Sequence, residues 1–227
     1  MDKAPRIVIV DYGCGNLFSI QRALLEIGVS SLISRDPDEI RRADKVILPG
    51  VGAFGTGMNN IRSYGLKDVI AEFAASGKFL LGICLGMQLL MRESYEFGHY
   101  EGLHLIAGKV TRLQEGSEQE QIVKIPHVGW NELHFKSEIT TPKSSWLGLQ
   151  TGTYVYFLHS FYVIPDDPRY CMASVEYGAN KFCAIVQKNN IMGVQFHPEI
   201  SGPTGLKLLK NFVFELKEEN KIYAHAG

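Results

Sequence analysis

The sequence has no surplus of either charge, no long apolar run, no paired-cysteine motif and no internal repeat, and each absence argues against a class of function. Its 227 residues carry 23 Lys and Arg against 24 Asp and Glu, a formal net charge of −1. Without a basic excess or Lys/Arg clusters, nucleic acid is disfavoured as the main ligand. No apolar stretch approaches the roughly 18 residues that a membrane-spanning helix needs. The apolar stretch Ile7 to Val10 follows Asp2 and Lys3 and stops at Asp11, which predicts a buried strand rather than a signal peptide. The cysteines (Cys14, Cys84, Cys171 and Cys183) contain no C-x-x-C pair. That usage fits reduced thiols in the cytoplasm better than a disulfide framework or a metal site such as zinc, and it implies no metal. No G-x-x-x-x-G-K-[ST] loop is present to cradle a nucleotide phosphate, and Gly13-Cys-Gly15 lacks the third glycine of a dinucleotide fingerprint.

What is present is an ordinary globular composition, 45% hydrophobic and 21% charged. A chain of this length buries roughly 70% or more of its unfolded surface, so it can build a core unaided. Short apolar runs alternate with helical patterns through the first ninety or so residues. Strands are expected at Arg6 to Val10, Ser31 to Ser34, Lys45 to Leu48 and Lys78 to Ile83. Helical patterns cover Leu17 to Ile27, Asp36 to Arg42, Gly65 to Ala75 and Leu85 to Arg92. Strict alternation of this kind predicts βαβ units and a parallel sheet. From Gly108 to about Gln187 the runs are richer in Val, Ile, Tyr and Phe and are spaced by turn residues, which predicts antiparallel strands. A last apolar run, Met192 to Phe196, precedes a closing amphipathic helix from Gly205 to Leu216. The expected fold class is α/β: one domain over residues 1–217, a mostly parallel central sheet flanked by helices, an added antiparallel region in the second half, and a polar tail over 218–227.

Three segments could carry chemistry. Gly82-Ile-Cys-Leu-Gly86 follows a strand and opens a helical run, the form of a nucleophile elbow. A helix N-terminus there stabilises a thiolate, and the Leu85 N–H can face a developing oxyanion. In Gly193-Val-Gln-Phe-His-Pro-Glu199, His197 and Glu199 sit two apart and in extended conformation project to one side, as a base and its orienting carboxylate do. Leu48-Pro-Gly-Val-Gly52 is a Gly-rich turn at the carboxyl end of a strand, where open α/β sheets place ligands. Alone, the elbow reads equally well as a small buried Cys between packing glycines, and the His-Glu pair more simply as a solvated strand end; together the two read as a Cys-His-Glu triad. Cys14 lies in a turn without an elbow and reads as structural or merely exposed; Cys171 and Cys183 fall in strand-like runs, and His127 and His159 lie among aromatics where they could line a pocket, so core packing is expected for these four.

With Cys84, His197 and Glu199 in that order, the chain resembles the class I (triad-type) glutamine amidotransferases. The elbow is followed by Gln88, and the His-Pro-Glu lies near the C-terminus, as in that family. Asp11-Tyr-Gly-Cys-Gly-Asn16, Pro49-Gly-Val-Gly52, His127-Val-Gly-Trp-Asn-Glu132 and Tyr156-Phe-Leu-His-Ser160 narrow the resemblance to glutaminase subunits of imidazole glycerol phosphate synthases. It implies hydrolysis of L-glutamine through a Cys84 thioester without a cofactor. The ammonia would pass to a (β/α)8-barrel cyclase subunit in a heterodimer of histidine biosynthesis. By position it implies oxyanion donors at Val51 and Leu85, once the Pro49 to Gly52 loop reorients. Glutamine would be bound at Gly52, Gln88, Glu96, Ser160 and Phe161, and the cyclase met at Asn16, Trp130 and Tyr156. One departure stands out. Ile200 follows the His-Pro-Glu where this family usually carries a Lys associated with the partner interface. The alternative left open is a paralogous glutaminase feeding another synthase, such as one that aminates a sugar for surface polysaccharide.

Overall fold

The computed structural model describes residues 5–116, 122–136 and 148–214; the tail over 218–227 lies outside them. Four parallel strands come first: β1 (Ile7–Val10), β2 (Ser31–Ser34), β3 (Lys45–Leu48) and β4 (Phe79–Ile83). Between them run helices α1 (Leu17–Glu26), α2 (Pro37–Arg42), α3 (Phe54–Ser63) and α4 (Leu66–Ala75). After α5 (Leu85–Leu89) come β5 (Glu93–Ser94), β6 (Tyr100–Glu101), β7 (Gly108–Arg112), β8 (His127–Phe135), β9 (Thr153–His159) and β10 (Phe161–Pro165). The chain ends in β11 (Cys171–Tyr177), β12 (Asn180–Lys188), β13 (Ile191–Val194) and α6 (Gly202–Phe214).

The main path of the sheet runs β2-β1-β3-β4-β13-β12-β10-β7-β5-β6, with β11, β8 and β9 branching from β12. Neighbours from β2 to β13 are parallel; β12 is antiparallel to β13, β10 and β11, and β8 is antiparallel to β9. The parallel half and the antiparallel half expected from the sequence are thus one continuous sheet.

Strand β1 shows how the core divides. Ile7 and Ile9 point to one face, where α1 and α6 contribute Ile20, Leu24, Leu208 and Phe212. Val8 and Val10 point to the other, where α2 to α5 contribute Ile40, Met58, Val69 and Leu85. All four β1 side chains are buried, as a parallel strand covered on both faces requires.

Two departures from the sequence reading concern helices. α3 was not anticipated, because two glycines, two asparagines and a serine in Phe54–Ser63 mask its period. Yet Phe54, Met58 and Ile61 are buried, and Gly57 lies where a Cβ would press on the Leu89 side chain. α5 stops at Leu89 rather than running to Arg92. The chain there turns off to the β5 edge, with Arg92 donating through its backbone N–H to Gly108 O.

Candidate active site

Three adjacent parallel strands build the site. β3, β4 and β13 lie side by side, with Leu48 opposite Gly82 and Ile83 opposite Val194. Their carboxyl ends therefore open on one edge of the sheet, and from them leave Pro49–Gly52, Cys84 and Gln195–His197 in turn. Side chains far apart in sequence meet there because β4 and β13 are neighbours, with the Cys84 N–H bonded to Val194 O at 2.8 Å.

Cys84 is the N-cap of α5 and sits at φ 51°, ψ −109°, a conformation that L side chains rarely adopt. The flanking glycines are dictated by this turn. A Cβ on Gly86 would stand 1.8 Å from Leu48 O, and one on Gly82 would stand 2.7 Å from the Gly86 carbonyl. The elbow expected from the sequence is thus present, with the thiol 5% exposed. Its Sγ lies 3.7 Å from Leu158 O and accepts from Gln195 Nε2 at 3.6 Å. As the first residue of α5, Leu85 has an N–H with no intrahelical acceptor.

The spacing gives His197 and Glu199 a shared side, but the carboxylate must still curl onto the imidazole to meet it. A 3₁₀ turn over Pro198–Ile200 curls the carboxylate back, so that Nδ1 of His197 meets Glu199 Oε1 at 2.8 Å. That bond fixes the ring, since Nδ1–H donates to the carboxylate and Nε2 is left for another partner. Nε2 is buried and has no hydrogen-bond partner among the described residues. Burial by itself would lower the imidazole's pKa; the neighbouring Cys84 and Glu199 side chains outweigh it and push it up to about 10.

The turn is pinned from two sides. Ser201 Oγ donates to His197 O at 2.7 Å and accepts the Tyr156 N–H at 3.0 Å, and the His197 N–H reaches Tyr156 O at 2.9 Å. Gly205 lets α6 close on it, because a Cβ there would strike Pro198 O.

The Pro49–Gly52 loop divides into a clamped and a free half. Tyr12 donates its hydroxyl to Pro49 O, and a Cβ on Gly50 would strike Tyr12, Leu85 and the Gly86 N–H. Val51 is 41% exposed, and Gly52, at φ 111°, has open space where a Cβ would go. The Gly50–Val51 peptide, which carries the Val51 N–H, joins the clamped half to the free one.

The other expected site residues are brought together unevenly. Gln88 is buried on α5 and donates through Nε2 to Phe161 O at 2.8 Å and to Gln195 Oε1 at 3.1 Å. Glu96 Oε2 accepts the Phe54 N–H at 2.6 Å, tying the segment after β5 to the start of α3; burial raises its pKa. Ser160, between β9 and β10, accepts the Leu113 N–H at 2.9 Å through its backbone. Asn16 caps α1, with Oδ1 accepting the Ser19 N–H at 3.3 Å. Trp130 and Tyr156 pair across β8 and β9, their rings 6.0 Å apart, and Trp130 is 54% exposed.

Sequence reasoning passed over Gln195, which is fully buried against Cys84. It read the buried His127 and His159 as packing, without the contact between them, in which they face each other at 3.3 Å. Burial pushes His127 down to about 4 and, with the adjacent His127 and His197 adding, His159 down to about 3, so both rings are neutral.

Residues 8–216 match the family model "Glutamine amidotransferase class-I". The chain is 45% identical over 207 residues to "Imidazole glycerol phosphate synthase subunit HisH" of Syntrophotalea carbinolica, covering 91% of this chain and 98% of that protein. It is 49% identical over 209 residues to the protein of the same name from Methanosarcina acetivorans, covering 92% and 98%. Among solved structures, "Structure of PurLQS from Thermotoga maritima" superposes with a TM-score of 0.68 at 21% identity, covering 95% of this chain and 100% of that one. One titled "Crystal structure of glutamine amidotransferase" gives 0.66 at 17% identity, covering 92% and 99%; at these identities the likeness speaks for the fold. The sheet order, the elbow and the near full-length match to the HisH proteins agree: this chain belongs to the class I glutamine amidotransferases and, within them, to the family of imidazole glycerol phosphate synthase HisH subunits.

Proposed function

We propose that the chain, as one amidotransferase domain over residues 1–217, hydrolyses L-glutamine to glutamate and ammonia and hands the ammonia to a cyclase subunit of histidine biosynthesis. The observation that carries the reading is the pairing of a strained, buried Cys84 with His197, whose Nδ1 is taken by Glu199 and whose buried Nε2 has no hydrogen-bond partner among the described residues.

In this reading the Cys84 sulfur attacks the side-chain amide carbon of glutamine, and the carbonyl oxygen becomes an oxyanion facing the Leu85 N–H. His197 gives its proton to the departing nitrogen, leaving a γ-glutamyl thioester. A water that loses its proton to His197 attacks the thioester. The C–S bond breaks, its electron pair returns to sulfur, and glutamate leaves. Gln88, Glu96, Gly52, Ser160 and Phe161 hold the substrate. Val51 supplies the second oxyanion donor once the Gly50–Val51 peptide, which carries its N–H, turns, and one such donor is worth roughly 3 kcal/mol of barrier. Withholding it until the partner is loaded restrains idle hydrolysis about a hundredfold.

The partner surface is the outer face of β8 and β9. Val128 lies opposite Leu158 and Trp130 opposite Tyr156 on this face, and Ile200 is exposed on the adjoining turn. Asn16 lies at the head of α1, which packs against the same turn. An apolar face of this kind is covered in the working assembly. Ammonia is protonated in bulk water and then is no nucleophile, so a closed passage between the two subunits is required. We place the assembly in the cytoplasm; no helix among the described residues is long and apolar enough to cross a membrane.

The test is glutamate release by the purified chain, alone and with the cyclase subunit and its nucleotide ligand, with Cys84→Ala as the blank. Low release alone and strong stimulation by the loaded cyclase are expected. Release that the cyclase leaves unchanged keeps the glutaminase and removes this partner.

A further inference from the structure

Among the described residues, Gln195 is a fully buried polar side chain that touches the nucleophile and has no part in the hydrolysis itself. It follows β13 directly, is 0% exposed, and anchors its backbone N–H on Ala184 O at 2.9 Å. Its Nε2 lies 3.6 Å from Cys84 Sγ and its Oε1 3.1 Å from Gln88 Nε2.

The direction of this amide is dictated by its neighbours. The Phe161 carbonyl can only accept, and it takes Gln88 Nε2 at 2.8 Å and His159 Nδ1 at 2.9 Å. That fixes the nitrogen end of Gln88, and the same nitrogen faces Gln195. A donor there demands the oxygen of Gln195, which leaves the NH2 group to face the sulfur. Turning Gln195 over would set one NH2 against another and aim a carbonyl at the sulfur. The His159 ring is fixed in the same way. With its proton on Nδ1, its Nε2 accepts from His127 Nδ1 at 3.3 Å, and His127 Nε2 faces Asn131 Nδ2 at 3.4 Å on β8.

We infer that Gln195 is a further catalytic residue, an amide donor to the Cys84 sulfur whose aim is set by Gln88, the Phe161 carbonyl and His159. The inference deepens the proposed function and rests on it for the role of Cys84. Two neutral groups compete at the sulfur. Leu158 O, 3.7 Å away, can accept only from the thiol, whereas Gln195 donates to the thiol weakly and to the thiolate strongly. The titratable groups that face Cys84 are His197 and Tyr12; Gln195 acts beside them without titrating. The same donor serves when the thioester breaks and the C–S electron pair returns to sulfur.

The experiment measures alkylation of Cys84 by iodoacetamide across pH in the full chain, with labelling located by peptide mass. The half-exposed Cys14 serves as an internal reference and thermal melting as the check on folding. Gln195→Met keeps the bulk and removes the donor. It is expected to slow Cys84 alkylation about tenfold at neutral pH, while the alkaline plateau stays at the wild-type rate. Gln195→Glu, which sets a carboxylate against the sulfur, slows it further. A Gln195→Met profile that overlays the wild type overturns the inference. Should Gln195→Met fail to fold, His159→Phe is read in the same assay. Loss of the donor that holds the Phe161 carbonyl is expected to slow alkylation about threefold, and no slowing overturns the inference. Alkylation needs no glutamine. A chain with the shifted profile and no glutamate release even with the loaded cyclase would sink the proposed function and leave Gln195 standing as a donor to the Cys84 sulfur, and the reverse result would do the opposite.

Discussion

Cys84 carries a cost that any replacement with a side chain inherits. At φ 51° and ψ −109° a non-glycine residue is strained by roughly 1–3 kcal/mol. Both Cys84→Ala and Cys84→Gly are therefore expected to abolish glutamate release, while Cys84→Gly melts higher than Cys84→Ala by the equivalent of about 1 kcal/mol. Equal melting temperatures would show that the turn is relaxed. Gly86 is the opposite case. A Cβ 1.8 Å from Leu48 O cannot be accommodated by a flexible side chain, because the obstacle is backbone. Gly86→Ala is expected to lose roughly 3 kcal/mol or more in denaturant titration, at the upper end for overpacking. These residues were readable in the sequence because an elbow demands its glycines and its nucleophile at fixed spacing. Gln195 was not, since a Gln beside a strand end carries no pattern of its own and acquires its role only from the sulfur placed next to it.

Among elements, the turn after β13 was half legible. His-Pro-Glu announces a base and a carboxylate on one side, but not the turn that joins them, and the hydrogen bond exists because Pro198–Ile200 winds into a 3₁₀ turn. Ser201 is the fastening, joining His197 O to the Tyr156 N–H. Ser201→Ala leaves a backbone donor and an acceptor without that partner, and is expected to destabilise the chain by about 1–3 kcal/mol. Because the same turn aims His197, Ser201→Ala is also expected to lower kcat for glutamine more than it raises KM, and steady-state kinetics read the two separately. The parallel strands were legible because a strand buried on both faces is a continuous apolar run. α3 was not, because its glycines serve close packing that the period cannot register; Gly55, for example, lies against the Tyr100 ring.

Over the whole molecule, two buried histidines set the acid limit. His127 and His159 titrate at about 4 and about 3 in the fold and near 6.5 when unfolded. Below pH 6.5 the unfolded chain therefore binds more protons, and stability falls as pH falls until the folded values are reached. At pH 5 the loss is on the order of 2 kcal/mol for each ring. Chemical denaturation at pH 7 and pH 5 should show it, and a midpoint independent of pH over that range would contradict it. His197 works the other way. Its value, raised to about 10, gives stability that is full below pH 6.5 and fades as pH climbs toward 10. The outer face of β8 and β9 belongs to this scale too. Trp130→Ala should leave the melting temperature of the isolated chain within about 0.5 kcal/mol of wild type. The same change is expected to weaken association with the cyclase about tenfold or more, measured by titration calorimetry.

The chain's own order of residues determined that there would be an α/β fold, a parallel first half, an elbow cysteine and a histidine with a carboxylate close behind. Each of these is a local matter of period, turn chemistry or spacing within a few residues. Tertiary structure alone decided that β13 lies beside β4, and so that His197 and Gln195 stand at Cys84. It decided as well that the antiparallel strands extend the same sheet, and that two histidines read as packing form a hydrogen-bonded chain reaching toward the nucleophile. Strand neighbours are chosen by the burial of both sheet faces at once, a condition on the whole chain that no single segment contains.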